Sequence, residues 1–186
     1  MIVAVLAGGR GSRMGGSKAT IELAGALVIE RPLAAARAAG LEAVVVAKRA
    51  TVLPPGLDVP VWLEPDTPFH PLCGLVAALE RGPVIAVACD QPWVTGELLG
   101  ALAAAGPTVP WVDGRFEPFP GHYDPSQLPV LRDALAEQAS LRATLARLAP
   151  RKLDLAPFGD PARLLASVAR IEACSRSAAS RIGDGS

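Results

Sequence analysis

The sequence predicts an α/β domain whose sheet is mostly parallel and covered by helices on both faces. Three observations carry this reading. The apolar runs Glu42–Ala47 (EAVVVA) and Pro83–Ala88 (PVIAVA) are continuous rather than alternating, as in strands buried on both sides. Segments with helical spacing lie between such runs, so strands and helices alternate along the chain. The 186 residues are 51% hydrophobic and 19% charged, enough for a packed core and too apolar for a disordered chain.

Taken in order, Ile2–Leu6 is a short buried strand that runs directly into a glycine-rich loop. Leu27–Ala39 reads as a helix, with Pro32 tolerated in the first turn and Gly40 as its stop. Glu42–Ala47 is a strand, and Val59–Leu63 is another after the Pro54-Pro55-Gly56 turn. Leu72–Arg81 is a helix with Leu72, Leu75, Val76 and Leu79 on one face, closed by Gly82-Pro83. Pro83–Ala88 is a strand that ends at Cys89-Asp90. Gly96–Ala105 reads as a helix, Thr108–Val112 and Phe119–Tyr123 as strands, and Leu128–Glu137 and Leu141–Leu148 as helices. Ser175–Ser186 is small and polar and is expected to fray. Together these elements predict one domain over residues 1–186, a three-layer α/β/α fold around a Rossmann-like, mostly parallel sheet.

Composition removes several classes of function. A formal net charge of zero argues against a nucleic-acid partner, which normally meets a basic surface. Cys73, Cys89 and Cys174 are far apart and odd in number, with no C-x-x-C spacing, so reduced thiols are expected rather than a disulfide framework or zinc site. The apolar run at residues 2–6 is too short for a signal peptide, and no segment has the apolar length of a membrane span. A cytoplasmic protein without a membrane partner is expected.

Chemistry points to the first eighteen residues, MIVAVLAGGRGSRMGGSK. Gly8, Gly9, Gly11, Gly15 and Gly16 follow the strand, with Arg10, Arg13 and Lys18 threaded among them. Glycines let backbone N–H groups approach an anion, and the cations neutralise it, so the loop suits a polyphosphate. Two familiar phosphate loops fail on spacing. Ser17 stands where a P-loop needs Gly before Lys18, and Met14 stands where the dinucleotide fingerprint needs its third Gly. Asp90 closes an apolar strand, and ligands of parallel sheets bind beyond the carboxyl ends of the strands. The glycine loop and Asp90 therefore converge on one site.

The arrangement L-A-G-G-x-x-x-R-M-G-x-x-K, from Leu6 to Lys18, resembles the nucleotidyltransferases that activate sugars and cofactors with NTP. Within them it is most similar to the MobA-like molybdenum cofactor guanylyltransferases. Ala88-Cys89-Asp90-Gln91-Pro92 resembles their C-D-x-P metal segment, and His70-Pro71-Leu72-Cys73-Gly74 resembles their G-P-L-x-G segment. The resemblance covers residues 1–125 and fades beyond. It implies transfer of GMP from GTP to the phosphate of molybdopterin cofactor, with Mg2+ as cofactor and release of pyrophosphate. The same chemistry with CTP, or with a phospholactate acceptor, stays open, as does a relative that binds nucleotide without turnover.

The resemblance also assigns roles. Arg13 and Lys18 become the catalytic cations, and Asp90 becomes the Mg2+ ligand. Leu6, Ala7, Gly8, Gly9, Lys18, Pro71, Leu72, Gly74 and Asp90 become nucleotide-binding positions, joined by an acidic residue after the third strand, Glu64 or Asp66. Asp113-Gly114, running on to Tyr123, would line the second-substrate pocket, and Ser140 is a candidate pterin-phosphate contact. A hand-over partner, such as a molybdoenzyme apoprotein or its chaperone, follows from the family role, although no segment identifies one. The chain departs from the family pattern at several points. Ser17 replaces an Asp, His70 a Gly and Glu117 a His, and Ala47-Lys48-Arg49 lacks an expected Asn. Residues 169–175 carry no N-x-N-T-P segment.

Overall fold

The computed structural model describes residues 1–9 and 18–168. The expectations for Arg13, for Cys174, for residues 169–175 and for a frayed tail from residue 175 lie outside the described residues.

The continuous apolar runs form the centre of the sheet. Strand β1 (Ile2–Leu6) lies between β4 (Glu42–Ala47) and β6 (Val84–Ala88), parallel to both. The short strand β5 (Val61–Leu63) pairs in parallel with the outer side of β4. Beyond β6 the direction changes. β9 (Gly121–Tyr123) runs antiparallel to β6 and to β7 (Thr108–Val112), and β10 (Arg151–Leu153) lies parallel to β7. The order is β10-β7-β9-β6-β1-β4-β5, with β8 (Arg115–Phe116) hairpinned onto β7 through Asp113 and Gly114. Both of these turn residues have positive φ, 50° and 76°, the geometry a tight hairpin needs.

Helices cover both faces, as the apolar runs require. Because side chains alternate along a strand, Val3 and Val5 face one layer and Ala4 the other. The first layer holds α1 (Glu30–Ala38) and α3 (Gly96–Ala105), whose Ile29, Leu33, Leu98, Leu99 and Leu102 pack with Val3, Val5, Ile85 and Val87. A Cβ on Gly96 would stand 3.1 Å from the Ala35 carbonyl and from Ala38 Cβ, so this glycine permits the close crossing of α1 and α3. The second layer holds α2 (Pro71–Leu79), α4 (Leu128–Ala136) and α5 (Leu141–Leu148). Leu72, Leu75, Leu79, Tyr123, Leu131 and Leu145 fill it. Each fully buried Leu contributes about 1.5–3 kcal/mol of apolar burial. A one-turn helix, α6 (Pro161–Leu164), follows β10.

Several boundaries differ from the sequence reading. The helix expected from Leu27 begins at Glu30. The residues before it form a small hairpin, β2 (Glu22–Leu23) and β3 (Ala26–Leu27), turning at Ala24 and Gly25 with φ of 53° and 76°. Gly40 stops α1 with φ of 67°, as expected for a residue just past a helix end. No helix among the described residues is long and apolar enough to cross a membrane.

Candidate functional site

The carboxyl ends of β1, β5 and β6 open into a cavity of about 290 Å³. Leu6, Gly8, Gly9, Lys18, Glu64, Phe69, His70, Pro71, Gly74, Ala88, Cys89, Asp90 and Phe119 line it. It joins three segments that the sequence reading singled out separately: the end of β1, the start of α2 and the end of β6. Arg13 lies outside the described residues.

At one end Lys18 Nζ donates to Asp90 Oδ2 at 2.6 Å. The Asp90 side chain is 7% exposed and that of Lys18 31% exposed, so the cation is the more accessible partner. The backbone around Asp90 is tied down on both sides. Cys89 N–H donates to the Leu6 carbonyl at 3.1 Å, and Val168 N–H donates to the Asp90 carbonyl at 3.1 Å. Next to it the buried Gln91 accepts from Ala88 N–H and donates to the Phe119 carbonyl at 2.8 Å. This amide joins the Asp90 turn to the loop before β9. Cys89 is buried, and that burial, with Asp90 beside it, pushes its thiol up to about 12. It is therefore a protonated wall residue rather than a nucleophile.

Glu64 and Asp66 stand differently in the structure. The sequence allowed either Glu64 or Asp66 to face the site. Only Glu64 lines the cavity, whereas Asp66 is exposed and accepts from Arg49 N–H at 3.2 Å. The Glu64 backbone continues the β5–β4 ladder by donating to the Ala47 carbonyl at 3.0 Å. Its side chain then reaches back over the end of β4 to lie against Gly8. A Cβ on Gly8 would fall 1.5 Å from Glu64 Oε1, and one on Gly74 would fall 2.9 Å from Oε2. Both glycines are thus slots for one carboxylate. Lys48 Nζ pairs with that carboxylate at 3.5 Å and donates to the Pro65 carbonyl. Burial raises the Glu64 pKa above its ordinary value, while Lys48 opposes the rise.

Other expectations separate in detail. His70 lines the cavity and also caps α2, its Nδ1 accepting from Leu72 N–H at 3.2 Å. Pro71 follows as the first helical residue, where a missing N–H costs nothing. Leu72 does not line the cavity, because its side chain is fully buried in the core and its N–H is taken by His70. Ala7 is also turned into the core, at 2% exposure. Ser140 caps α5, accepting from Ala143 N–H at 3.2 Å, and lies outside the cavity lining. Of the segment from Asp113 to Tyr123, only Phe119 reaches the cavity.

The sequence reading gave no role to Lys48 or Phe69, whereas Phe119 belonged to the segment expected to line a substrate pocket. Lys48 was legible by the rule that found Asp90, a charged residue directly after a buried strand. Phe69 carried no local signal.

Residues 3–152 match the profile described as the MobA-like NTP transferase domain. A molybdenum cofactor guanylyltransferase of Rhodobacter capsulatus is 35% identical over 113 residues, which are 55% of this chain and 57% of that protein. The chain thus spans little more than half the length of that relative. A protein of Opitutus terrae, named "Probable molybdenum cofactor guanylyltransferase", is 30% identical across 86% of this chain and 85% of its own. Among solved structures, the molybdopterin-guanine dinucleotide biosynthesis protein A of Archaeoglobus fulgidus superposes with a TM-score of 0.73. It covers 90% of this chain and 92% of its own at 24% identity, a likeness of fold.

Proposed function

We propose that this chain, which belongs to the MobA-like NTP transferase domain family and is a nucleotidyltransferase, moves GMP from GTP to the phosphate of molybdopterin cofactor. An oxygen of the acceptor phosphate attacks the α-phosphorus of GTP. The bond from that phosphorus to the β-phosphate bridging oxygen breaks, pyrophosphate leaves, and a new phosphoanhydride joins the two substrates. Negative charge grows on the transferring and leaving groups, so the protein's main tasks are positioning and charge neutralisation.

The observation that carries this reading is the Lys18–Asp90 pair at 2.6 Å, which lines one cavity together with Gly8 and Gly9. Gly9 has open space around its Cβ position, so a phosphate can approach its backbone closely. Lys18, the more exposed partner, is the group that can turn from Asp90 to a phosphate.

Mg2+ fits this donor set. It is held in such sites by one or two carboxylates, with waters and substrate phosphates completing the shell. Asp90 is one carboxylate at a strand end, and among the described residues no group of three His, Cys, Asp or Glu forms an all-protein cage. Asp90 would hold the ion, which when bound screens the phosphate charge and orients the triphosphate. Gln91 and the Val168 N–H keep the Asp90 turn in place, and Phe119 and Cys89 add apolar surface to the same lining.

Calorimetric titration with GTP, CTP, ATP and UTP, each with and without Mg2+, tests the reading. It expects tight, Mg2+-dependent binding of GTP, followed by pyrophosphate release when molybdopterin cofactor is supplied. Preference for CTP would move the function to a cytidylyltransferase. Failure to bind any NTP would remove it.

A further inference from the structure

The segments that carry or touch the Lys18–Asp90 pair meet a second time, outside the cavity lining, at Trp93. This residue closes the turn Asp90-Gln91-Pro92 and is only partly buried, whereas Val94 beside it turns into the first-layer core. The guanidinium carbon of Arg163, from α6, stands over the Trp93 ring at 4.5 Å from its centre, and that of Arg31, from α1, at 5.8 Å. Both distances lie within the reach of a cation–π attraction. Each arginine belongs to a segment with a further tie to the site. Beyond Arg163 the chain runs to Val168, whose N–H donates to the Asp90 carbonyl at 3.1 Å. Arg31 donates to the Leu23 carbonyl at 3.0 Å, in the hairpin that follows the single turn Lys18–Thr20. Arg31 Nε, by contrast, is buried with no hydrogen-bond partner among the described residues. A buried donor left unpaired is unfavourable and calls for an explanation. The guanidinium is therefore placed for the ring and the hairpin carbonyl rather than to satisfy its own donors.

We propose that Trp93, Arg163 and Arg31 form a clamp outside the cavity, and that all three are positioning residues that hold the Asp90 turn against the Lys18 segment for metal-dependent nucleotide binding. The inference rests on the nucleotidyl-transfer reading above. None of the three lines the cavity, so none acts by touching the nucleotide there. They act through the backbone. Trp93 fixes the far end of the Asp90 turn, the Val168 N–H fixes its carbonyl, and the stacking of Arg163 on Trp93 joins these two restraints. Arg31 carries the same restraint to the hairpin beyond Lys18. Mg2+ demands near-ideal octahedral geometry, so a small displacement of its carboxylate is felt first in metal affinity. Contacts between the triphosphate and the glycine-loop backbone do not pass through the clamp.

The test measures GTP binding by calorimetry across a series of free Mg2+ concentrations for the wild type, Arg163→Ala, Trp93→Phe and Trp93→Ala. Thermal melting by circular dichroism checks that each protein folds. Arg163 is exposed, so its alanine variant should melt like the wild type. Its half-saturating Mg2+ concentration should rise about two- to fivefold, the equivalent of one exposed cation–π contact, while GTP affinity without Mg2+ stays within about twofold. Trp93→Ala removes both contacts and should raise the Mg2+ requirement about 5- to 30-fold. Trp93→Phe keeps an aromatic face for both arginines and should lie nearer the wild type than Trp93→Ala does. The same Mg2+ requirement in all four proteins overturns the inference and leaves GTP binding in place. An equal loss of GTP affinity with and without Mg2+ overturns it too, because general loosening of the fold would produce that result. Should Trp93→Ala fail to fold, Arg163→Ala decides by the same criteria. Absence of Mg2+-dependent GTP binding in the wild type removes this inference together with the functional reading.

Discussion

Replacing Gly8 by Ala should destabilise the protein far more than the same change at its neighbour Gly9. A methyl at Gly8 would fall 1.5 Å from Glu64 Oε1 and 2.6 Å from its carboxyl carbon, well inside contact distance. The carboxylate has nowhere to go. Gly74 lies close on the side of Oε2, where even a Cβ would come within 2.9 Å, and Lys48 pairs with Oε1 at 3.5 Å. Either the loop shifts, at an overpacking cost of about 1–3 kcal/mol, or the carboxylate leaves Lys48 and strands a buried cation, at about 3–5 kcal/mol. A loss of about 2–4 kcal/mol is expected between these routes, lowering the melting temperature by roughly 5–15 °C at this chain length. At Gly9 nothing lies within 4 Å of the Cβ position. The alanine there should change stability by less than about 1 kcal/mol, since the unfolded chain loses freedom as well. Urea unfolding of both variants followed by circular dichroism reads the difference. The double variant Gly8→Ala/Glu64→Ala should unfold later than the two single losses summed, because the colliding atoms are gone. Equal midpoints for Gly8→Ala, Gly9→Ala and the wild type would refute the packing argument.

Four further outcomes are expected. Lys18→Ala should reduce turnover about 10²–10³-fold with little change in melting temperature, by analogy with removal of one charge-stabilising donor. Near-normal turnover would exclude Lys18 from the chemistry. Asp90→Asn should remove the Mg2+ dependence of nucleotide binding in calorimetry, and an unchanged dependence would make Asp90 a turn residue only. Cys89→Ser should stay active, and Cys89 should resist iodoacetamide at pH 8 in site-resolved mass spectrometry, since burial pushes its thiol up to about 12. The folded Glu64 pKa lies above 4.5, so the native state keeps a proton that the unfolded chain releases. Its contribution to stability is therefore complete below about pH 4.5 and is lost as pH rises through the folded value. Glu64→Gln should flatten that slope in urea midpoints measured from pH 4 to 7.

Much of this architecture was legible because burial on both faces leaves an unmistakable run. EAVVVA and VIAVA could only be central strands, and the helices with strong apolar faces followed from spacing. The short edge elements were not legible. β10 is Arg-Lys-Leu, whose pairing with β7 is set by register across a sheet rather than by its own pattern. The hairpin β2–β3 has only two residues per strand, too few for alternation to show. In the site, the glycines, Lys18 and Asp90 could be read because each sits at a strand end or in a recognisable spacing. The choice between Glu64 and Asp66 could not. Both stand just past β5, and what separates them is a side chain reaching across β4 to meet Gly8, with Lys48 from another strand holding it there.

The reversal of β9 has a consequence for how this cavity can change. Gly8, Glu64 and Asp90 all hang from places where the chain leaves a parallel strand, so their positions are locked to the register of β1, β5 and β6. Phe119 hangs from a place where the chain enters an antiparallel one. Its carbonyl accepts from the Gln91 amide, its ring packs against the second-layer core, and the carbonyl of the preceding Pro118 accepts from the Tyr123 hydroxyl at 2.7 Å. The segment between Gly114 and Pro120 is placed by its pairing with β7 and by side-chain contacts rather than by the register of a parallel strand. Most of the cavity wall is thus set by strand register, whereas Phe119 is set by the side chains it meets, so substitutions at Gln91 or Tyr123 should reach the cavity through Phe119.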